Sequence, residues 1–118
     1  MDNKADFRKD TVPDVLSALF RTKKITKASL AKRANMSEVY LHQVFAGQRN
    51  PSRNRLLCMC LGMSATLDEP QALLKSCGTA QLYIRNRRDV IISFGLLQGL
   101  NVQEVNDYLF NEKEETLC

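Results

Sequence analysis

A chain of 118 residues, 44% apolar and 25% charged, has enough apolar side chain for a packed core and too balanced a charge content for a disordered polyelectrolyte. No apolar run reaches the ~20 residues that a membrane-spanning helix needs, and no secretory signal opens the sequence, so a cytoplasmic protein with no membrane partner is expected. The net charge of +4 is unevenly spread: residues 1–55 hold 12 Lys and Arg against 5 Asp and Glu, a net +7, whereas residues 56–118 hold 5 against 8, a net −3, so the first half is the part that suits a polyanion.

Residues 1–10 are polar and expected to be loose, with Phe7 as a candidate anchor. Thr11, with Asp14 three residues later and Pro13 between, reads as a helix start, because a Thr/Asp pair can cap reciprocally and proline is tolerated in a first turn. Val15, Leu16, Leu19 and Phe20 give that helix its buried face, and Arg21, Lys23 and Lys24 suit its C-terminal dipole. Thr26 is a candidate cap for the next helix.

The stretch Lys27 to Ala46 reads as two short helices joined by a tight turn. Leu30, Ala31 and Ala34 form one apolar stripe, and Leu41, Val44 and Phe45 form a second. Between them Asn35 tolerates a left-handed backbone, Met36 can fill the gap between the helices, and Ser37 can cap the second helix. This is a helix-turn-helix pattern, and it resembles that of the phage-repressor-like DNA-binding family (lambda repressor, Cro and Xre). The resemblance rests on Ala31 inside the first helix, on Met36, Leu41 and Val44 in the turn and inner face, and on Gly47 soon after. It extends into Gly47 to Ser52, which is similar to the loop following the recognition helix in Xre-type proteins. Asn35 stands where that family more often has Gly. Roughly residues 12–78 are covered.

The resemblance implies a five-helix phage-repressor-like helix-turn-helix domain over residues 1–78; the helical pattern beyond it extends this to an all-α fold with a C-terminal helical hairpin over 79–118. It also implies that helix 37–46 enters a major groove. With Leu41, Val44 and Phe45 inward, a rotation of about 100° per residue turns Val39, Gln43 and Ala46 outward, with Tyr40 and His42 on the flanks. Candidate base readers are Gln43, whose amide pairs with adenine, Val39, which meets a thymine methyl, Tyr40, and Glu38, which can accept from a cytosine amine. Glu38 also has a simpler role as an acid at a helix N-terminus. Candidate backbone contacts are Lys27, Ser37, His42, Arg49, Asn50 and Arg53, which flank that helix; each taken alone is equally well a solvated surface group.

Beyond Ser52, Leu56, Leu57, Cys60 and Leu61 form an inward stripe with Met59 beside it, and Gly62 is expected to end the helix. A further helix holds Leu67, Ala72, Leu73 and Leu74, has Pro70 early, and closes at Gly78. Setting residues 57–74 against 92–109 pairs Leu57 with Ile92, Leu61 with Leu96, Leu67 with Val102, Glu69 with Glu104 and Leu74 with Leu109, which suggests a second helical hairpin. Val90, Ile91, Phe94, Leu97, Leu100, Val105, Tyr108 and Leu109 need cover from the first five helices or from another chain. Arg85, Arg87 and Arg88 are either a further phosphate patch or the charged start of an Asn86-capped helix. Residues Asn111 to Cys118, with three Glu, are expected to be solvated.

Cys58, Cys60, Cys77 and Cys118 lack metal-ligand spacing; the first three read as buried reduced thiols and Cys118 as an exposed one. One histidine, no nucleophile elbow and no phosphate loop argue against an enzyme, and no cofactor is expected. The expected function is therefore a sequence-specific transcriptional regulator that binds double-stranded DNA as a homodimer. The alternative is a protein–protein adaptor or antitoxin-like module that keeps the fold, with the C-terminal hairpin as a possible protein-binding surface.

Overall fold

In the computed structural model, which describes residues 11–118, each of the first three helices begins on a hydroxyl that the sequence offers for that purpose. Thr11 Oγ1 accepts from Asp14 N at 3.4 Å while Thr11 N donates to Asp14 Oδ2 at 3.3 Å, closing a capping box on α1 (Val12–Arg21). Thr26 caps α2 (Lys27–Arg33) through Ser29 N, and Ser37 caps α3 (Glu38–Phe45) through Tyr40 N, both at 3.0 Å. Between α2 and α3, Asn35 takes φ 60° and Met36 N donates to Ala31 O at 3.0 Å, so an asparagine makes the left-handed turn. Phe7 lies outside the described residues.

Helix α4 (Arg53–Gly62) is the axis of the molecule. Every residue from Leu56 to Gly62 is buried, because α2, α5 (Asp68–Ser76), α6 (Arg87–Gln98) and α7 (Val102–Asn111) all pack on it. Gly62 is the last residue of this helix, as the sequence suggested, but a tight helix contact and not a left-handed turn is what calls for glycine there. A Cβ there would lie 2.9 Å from Leu30 Cδ1 and 3.1 Å from Ala34 Cβ, so the glycine is the place where α2 and α4 touch. The left-handed residue that follows the helix is Ser64, with φ 53°, where Ala65 N donates to Cys60 O at 3.0 Å.

All seven helices of the described residues are short, none is long and apolar enough to cross a membrane, and no strand accompanies them. The α4–α5 and α6–α7 pairs share more than a sequence echo. Leu57, Leu61 and Leu74 are buried, and so are their counterparts Ile92, Leu96 and Leu109. Glu69 accepts from Thr66 N and Glu104 from Asn101 N, each at 2.9 Å, so the acidic residue plays the same part at the start of α5 and α7.

The apolar residues of the second pair divide into two sets. Val105 and Leu109 join Ile92 and Leu96 in the core, and Ile91 and Leu100 are half-buried against it. Val90, Phe94, Leu97 and Tyr108 stay exposed, with the Phe94 and Tyr108 rings edge-on at 5.7 Å between centroids.

The C-terminal segment is not left in solvent, contrary to the expectation from its three glutamates. Leu117 is buried, its N–H donates to Asn106 Oδ1 at 2.8 Å, and Arg88 donates to Glu115 O at 2.7 Å and to Thr116 O at 3.2 Å. One leucine, together with carbonyls that an arginine can reach, outweighs the hydration of the acids, whose side chains remain at the surface.

Candidate nucleic-acid interface

The inner side of α3 is fixed by Leu41 and Val44, both fully buried, and by Phe45, which lies half-buried and edge-on to Phe20 at 5.3 Å. That anchoring determines what the outer side presents. Val39 is 68% exposed, an exposure that puts an unshielded apolar side chain at the crest of the helix. Gln43 follows one turn later on the same line. Two shallow grooves run along this crest, and Val39 and Gln43 line both. One groove continues to Lys27, His42, Ala46 and Gln48, and the other to Asn35, Ser37, Tyr40, Arg49 and Arg55.

Polar side chains along the crest hold one another in place. Arg49 Nε donates to Gln43 Oε1 at 3.1 Å, which occupies one lone pair of the amide oxygen and leaves its NH2 free. Glu38 Oε2 lies 3.3 Å from His42 Nε2, one turn along the helix, with both side chains 53% exposed. Glu38 thus stands in the first turn of α3, where an acid favours the helix dipole. Tyr40 is half-buried beneath the Arg55 guanidinium, whose Cζ is 4.6 Å from the ring centroid, and Lys27 Nζ sits 4.9 Å over the Phe45 ring.

Of the residues expected at this surface, Glu38, Val39, Tyr40, Gln43, Lys27, Ser37, His42 and Arg49 line the two grooves or stand on α3 between them. Asn50 is exposed further round, facing the start of α1 beside Gly47, whose φ of 80° turns the loop there. Arg53 is elsewhere. Its guanidinium donates to Ala80 O at 2.7 Å, to Gln81 O at 3.2 Å and to Asp89 Oδ2 at 3.0 Å, so it is spent on the loop before α6 and not on the α3 face.

Arg55, to which the sequence pattern assigned no role, occupies the place expected of Arg53. Two residues along a helix is a rotation of about 200°, so only one of the two arginines can face α3. The discriminating signal was Asp89, a carboxylate that needed a buried cation. Arg87 pairs with Glu112 and Arg88 binds Asn54 Oδ1 at 3.0 Å besides the C-terminal carbonyls, while Arg85 is exposed. Arg87 and Arg88 start an Asn86-capped helix, with Asp89 N donating to Asn86 Oδ1 at 2.9 Å, and both are structural, while Arg85 precedes the cap.

The thiols inside the fold are poor nucleophiles. Burial, helped by the neighbouring Cys118, pushes Cys58 up to about 12; burial, with Glu69 nearby, does the same to Cys60; burial alone raises Cys77. No family model, curated protein or solved structure matches this chain.

Proposed function

We propose that the protein is a sequence-specific double-stranded DNA-binding regulator that reads the major groove with α3. On this reading residues up to 78 form a phage-repressor-like unit, α2 and α3 are its helix-turn-helix, and the hairpin beyond serves assembly. The observation that carries the proposal is the outer ridge of α3: an exposed Val39 and an oriented Gln43 between grooves that hold Lys27, Arg49 and Arg55. A methyl-bearing side chain and an amide suit base edges, and cations to either side suit phosphates. The resemblance of residues 27–52 to the family supports it, as does the +7 charge of residues 1–55.

Base reading falls to Gln43 and Val39, with Tyr40 and Glu38 at the N-terminal end of the ridge. Lys27, Ser37, His42, Arg49 and Asn50 meet the backbone, with Arg55 in place of Arg53. Arg49 has a second task, because its bond to Gln43 Oε1 fixes which way the amide points. A single such unit has limited specificity, and a two-fold dimer over two half-sites is the usual remedy. The exposed stripe of Val90, Phe94, Leu97 and Tyr108 is the surface through which we propose that two copies meet.

A second reading, a protein-binding adaptor or antitoxin-like module, is favoured by one feature: Glu38 and Val39 give the start of α3 an acidic and apolar character that a protein partner accommodates more easily than a phosphate backbone does.

Gel-shift selection from random duplexes at moderate salt separates the two. A recovered consensus is expected. Gln43→Ala should then weaken the consensus about 5- to 100-fold while leaving random DNA nearly unchanged. Lys27→Ala should weaken both and reduce the salt slope by about one. Recovery of no common sequence, or equal losses on both duplexes for Gln43→Ala, defeats the proposal.

A further inference from the structure

The cations of α2 are not confined to its start. Lys32 and Arg33, in its last turn, are exposed, and among the described residues no carboxylate pairs with either. Together with the start of α7 they line a groove, in which Asn101 and Gln103 are exposed and Val102 is buried. Asn35 lines this groove and also the one along α3 that holds Val39, Gln43 and Arg55, so the two run on from each other across the α2–α3 turn.

We propose that this second groove holds sugar–phosphate backbone of the same DNA duplex that α3 reads, so that the last helix of the C-terminal hairpin contributes to the DNA surface. The inference rests on the reading of α3 as the base-reading helix. Charge is the first support: both ionisable side chains in the groove are cations, whereas residues 79–118 as a whole hold four Lys and Arg against six Asp and Glu. An acidic hairpin that meets a polyanion has to do so where its acids are absent or engaged. The two acids in the first two turns of α7 are engaged: Glu104 accepts from Asn101 N at 2.9 Å, and Asp107 accepts from Gln103 Nε2 at 3.0 Å.

Donors suited to phosphate oxygens remain. Asn101 Oδ1 accepts from Glu104 N at 2.8 Å, which orients the amide and leaves its NH2 for a ligand. Arg33 Nη2 donates to Ser64 Oγ at 2.6 Å, in the turn after α4, which braces the guanidinium while its other N–H groups stay available. Reach is adequate as well. Lys27 and Lys32 are separated along α2 by a rise of about 7.5 Å, which their long side chains extend toward the about 12 Å width of a major groove. Cations at the two ends of α2 can thus rest on the two strands that border one groove.

Affinity of the full chain for its selected consensus and for random duplex, measured against salt, tests this. Lys32→Ala and Arg33→Ala should each weaken both duplexes and reduce the salt slope by about one. Gln103→Glu puts a negative charge into the groove and should weaken both by about 3- to 10-fold, and Gln103→Lys should tighten both. Asn111→Asp makes the same change in charge at the far end of α7, about 12 Å along the helix and beyond the Debye length of about 10 Å at 0.1 M salt, and should bind as the wild type does. All four positions are exposed, and every variant should melt with the wild type. A wild-type chain that binds no duplex overturns the reading of α3 and this inference together. A wild type that selects a consensus overturns this inference alone if Gln103→Glu and Asn111→Asp bind equally well, or if Lys32→Ala and Arg33→Ala leave the salt slope unchanged.

Discussion

Substituting Gly95 by alanine should destabilise the protein although alanine is the better helix former, and the reason lies across the α6–α7 interface. A Cβ built on Gly95 comes to 2.4 Å of Val105 Cγ2, at least 1 Å inside ordinary contact, while the Val105 Cβ itself is 3.7 Å away. Overpacking of this kind costs about 1–3 kcal/mol, and the gain in helix propensity returns about 1 kcal/mol, so a net loss of about 1 kcal/mol, and at most about 2, is expected. At this chain length that lowers the melting temperature by roughly 5 °C. Val105→Ala alone should cost about 2 kcal/mol through lost burial and a cavity. The double variant is the decisive one, because the alanine methyl at position 95 then enters the space that Cγ2 has vacated and meets only the residue 105 Cβ and Leu61 Cδ2, each at an ordinary 3.7 Å. Urea unfolding of the four proteins should therefore give a double variant more stable than the sum of the singles by about 1–2 kcal/mol. Additivity within about 0.5 kcal/mol would mean that α6 and α7 do not meet at these residues, and the placement of the hairpin would fall with it.

Asp89→Ala should cost about 3 kcal/mol in urea unfolding, since it strands the partly buried Arg53 guanidinium and leaves Tyr83 N–H without its acceptor at 3.0 Å; a loss below about 1 kcal/mol would show that the pair contributes little. At Glu69, burial acts to raise the carboxyl but hydrogen bonds from Lys23 and Thr66 outweigh it and hold it below its ordinary 4.5. The stability it contributes is therefore complete above that value and lost as pH falls through the folded-state value beneath it; the difference in unfolding free energy between wild type and Glu69→Gln should shrink across that acidic window, and a difference that persists to the lowest pH would contradict the assignment. Leu97→Glu, on a side chain that is 66% exposed, should leave the fold intact and convert a dimer to a monomer in light scattering; a wild-type chain that is already monomeric at tens of micromolar would remove the hairpin stripe as the dimer surface.

The helix starts could be read from the sequence because capping is local: Thr11 with Asp14, Thr26, Ser37, Ser52 and Asn86 each act within three residues of themselves. The inner and outer faces of α3 followed from the same kind of short-range periodicity. What escaped was set by partners distant in sequence. Gly62 ends its helix as its residue type suggests, yet the need for a glycine there comes from Leu30 and Ala34 on another helix. Arg53 and Arg55 are the same residue type two positions apart, and only Asp89, in a different helix, decides which of them turns away from α3. The acidic tail looked solvated because its composition says so, and composition cannot show that Arg88 reaches its carbonyls or that Leu117 finds a gap beside Asn106.

The same first turn of α4 settles how the two ends of the molecule are connected. Arg55 leaves it toward Tyr40 on α3, Arg53 leaves it toward Asp89 and the loop before α6, and Asn54 between them accepts from Arg88, which in turn holds Glu115 and Thr116. Three consecutive side chains thus tie the outward-facing helix, the hairpin and the C-terminal segment to a single turn whose next residues are all buried. A turn fixed in this way cannot rotate to improve one contact without giving up the other two. The angle between α3 and the exposed stripe on the hairpin is therefore a property of the folded chain and not of what binds to it, which is the condition that a two-fold assembly needs if its reading helices are to keep a fixed separation.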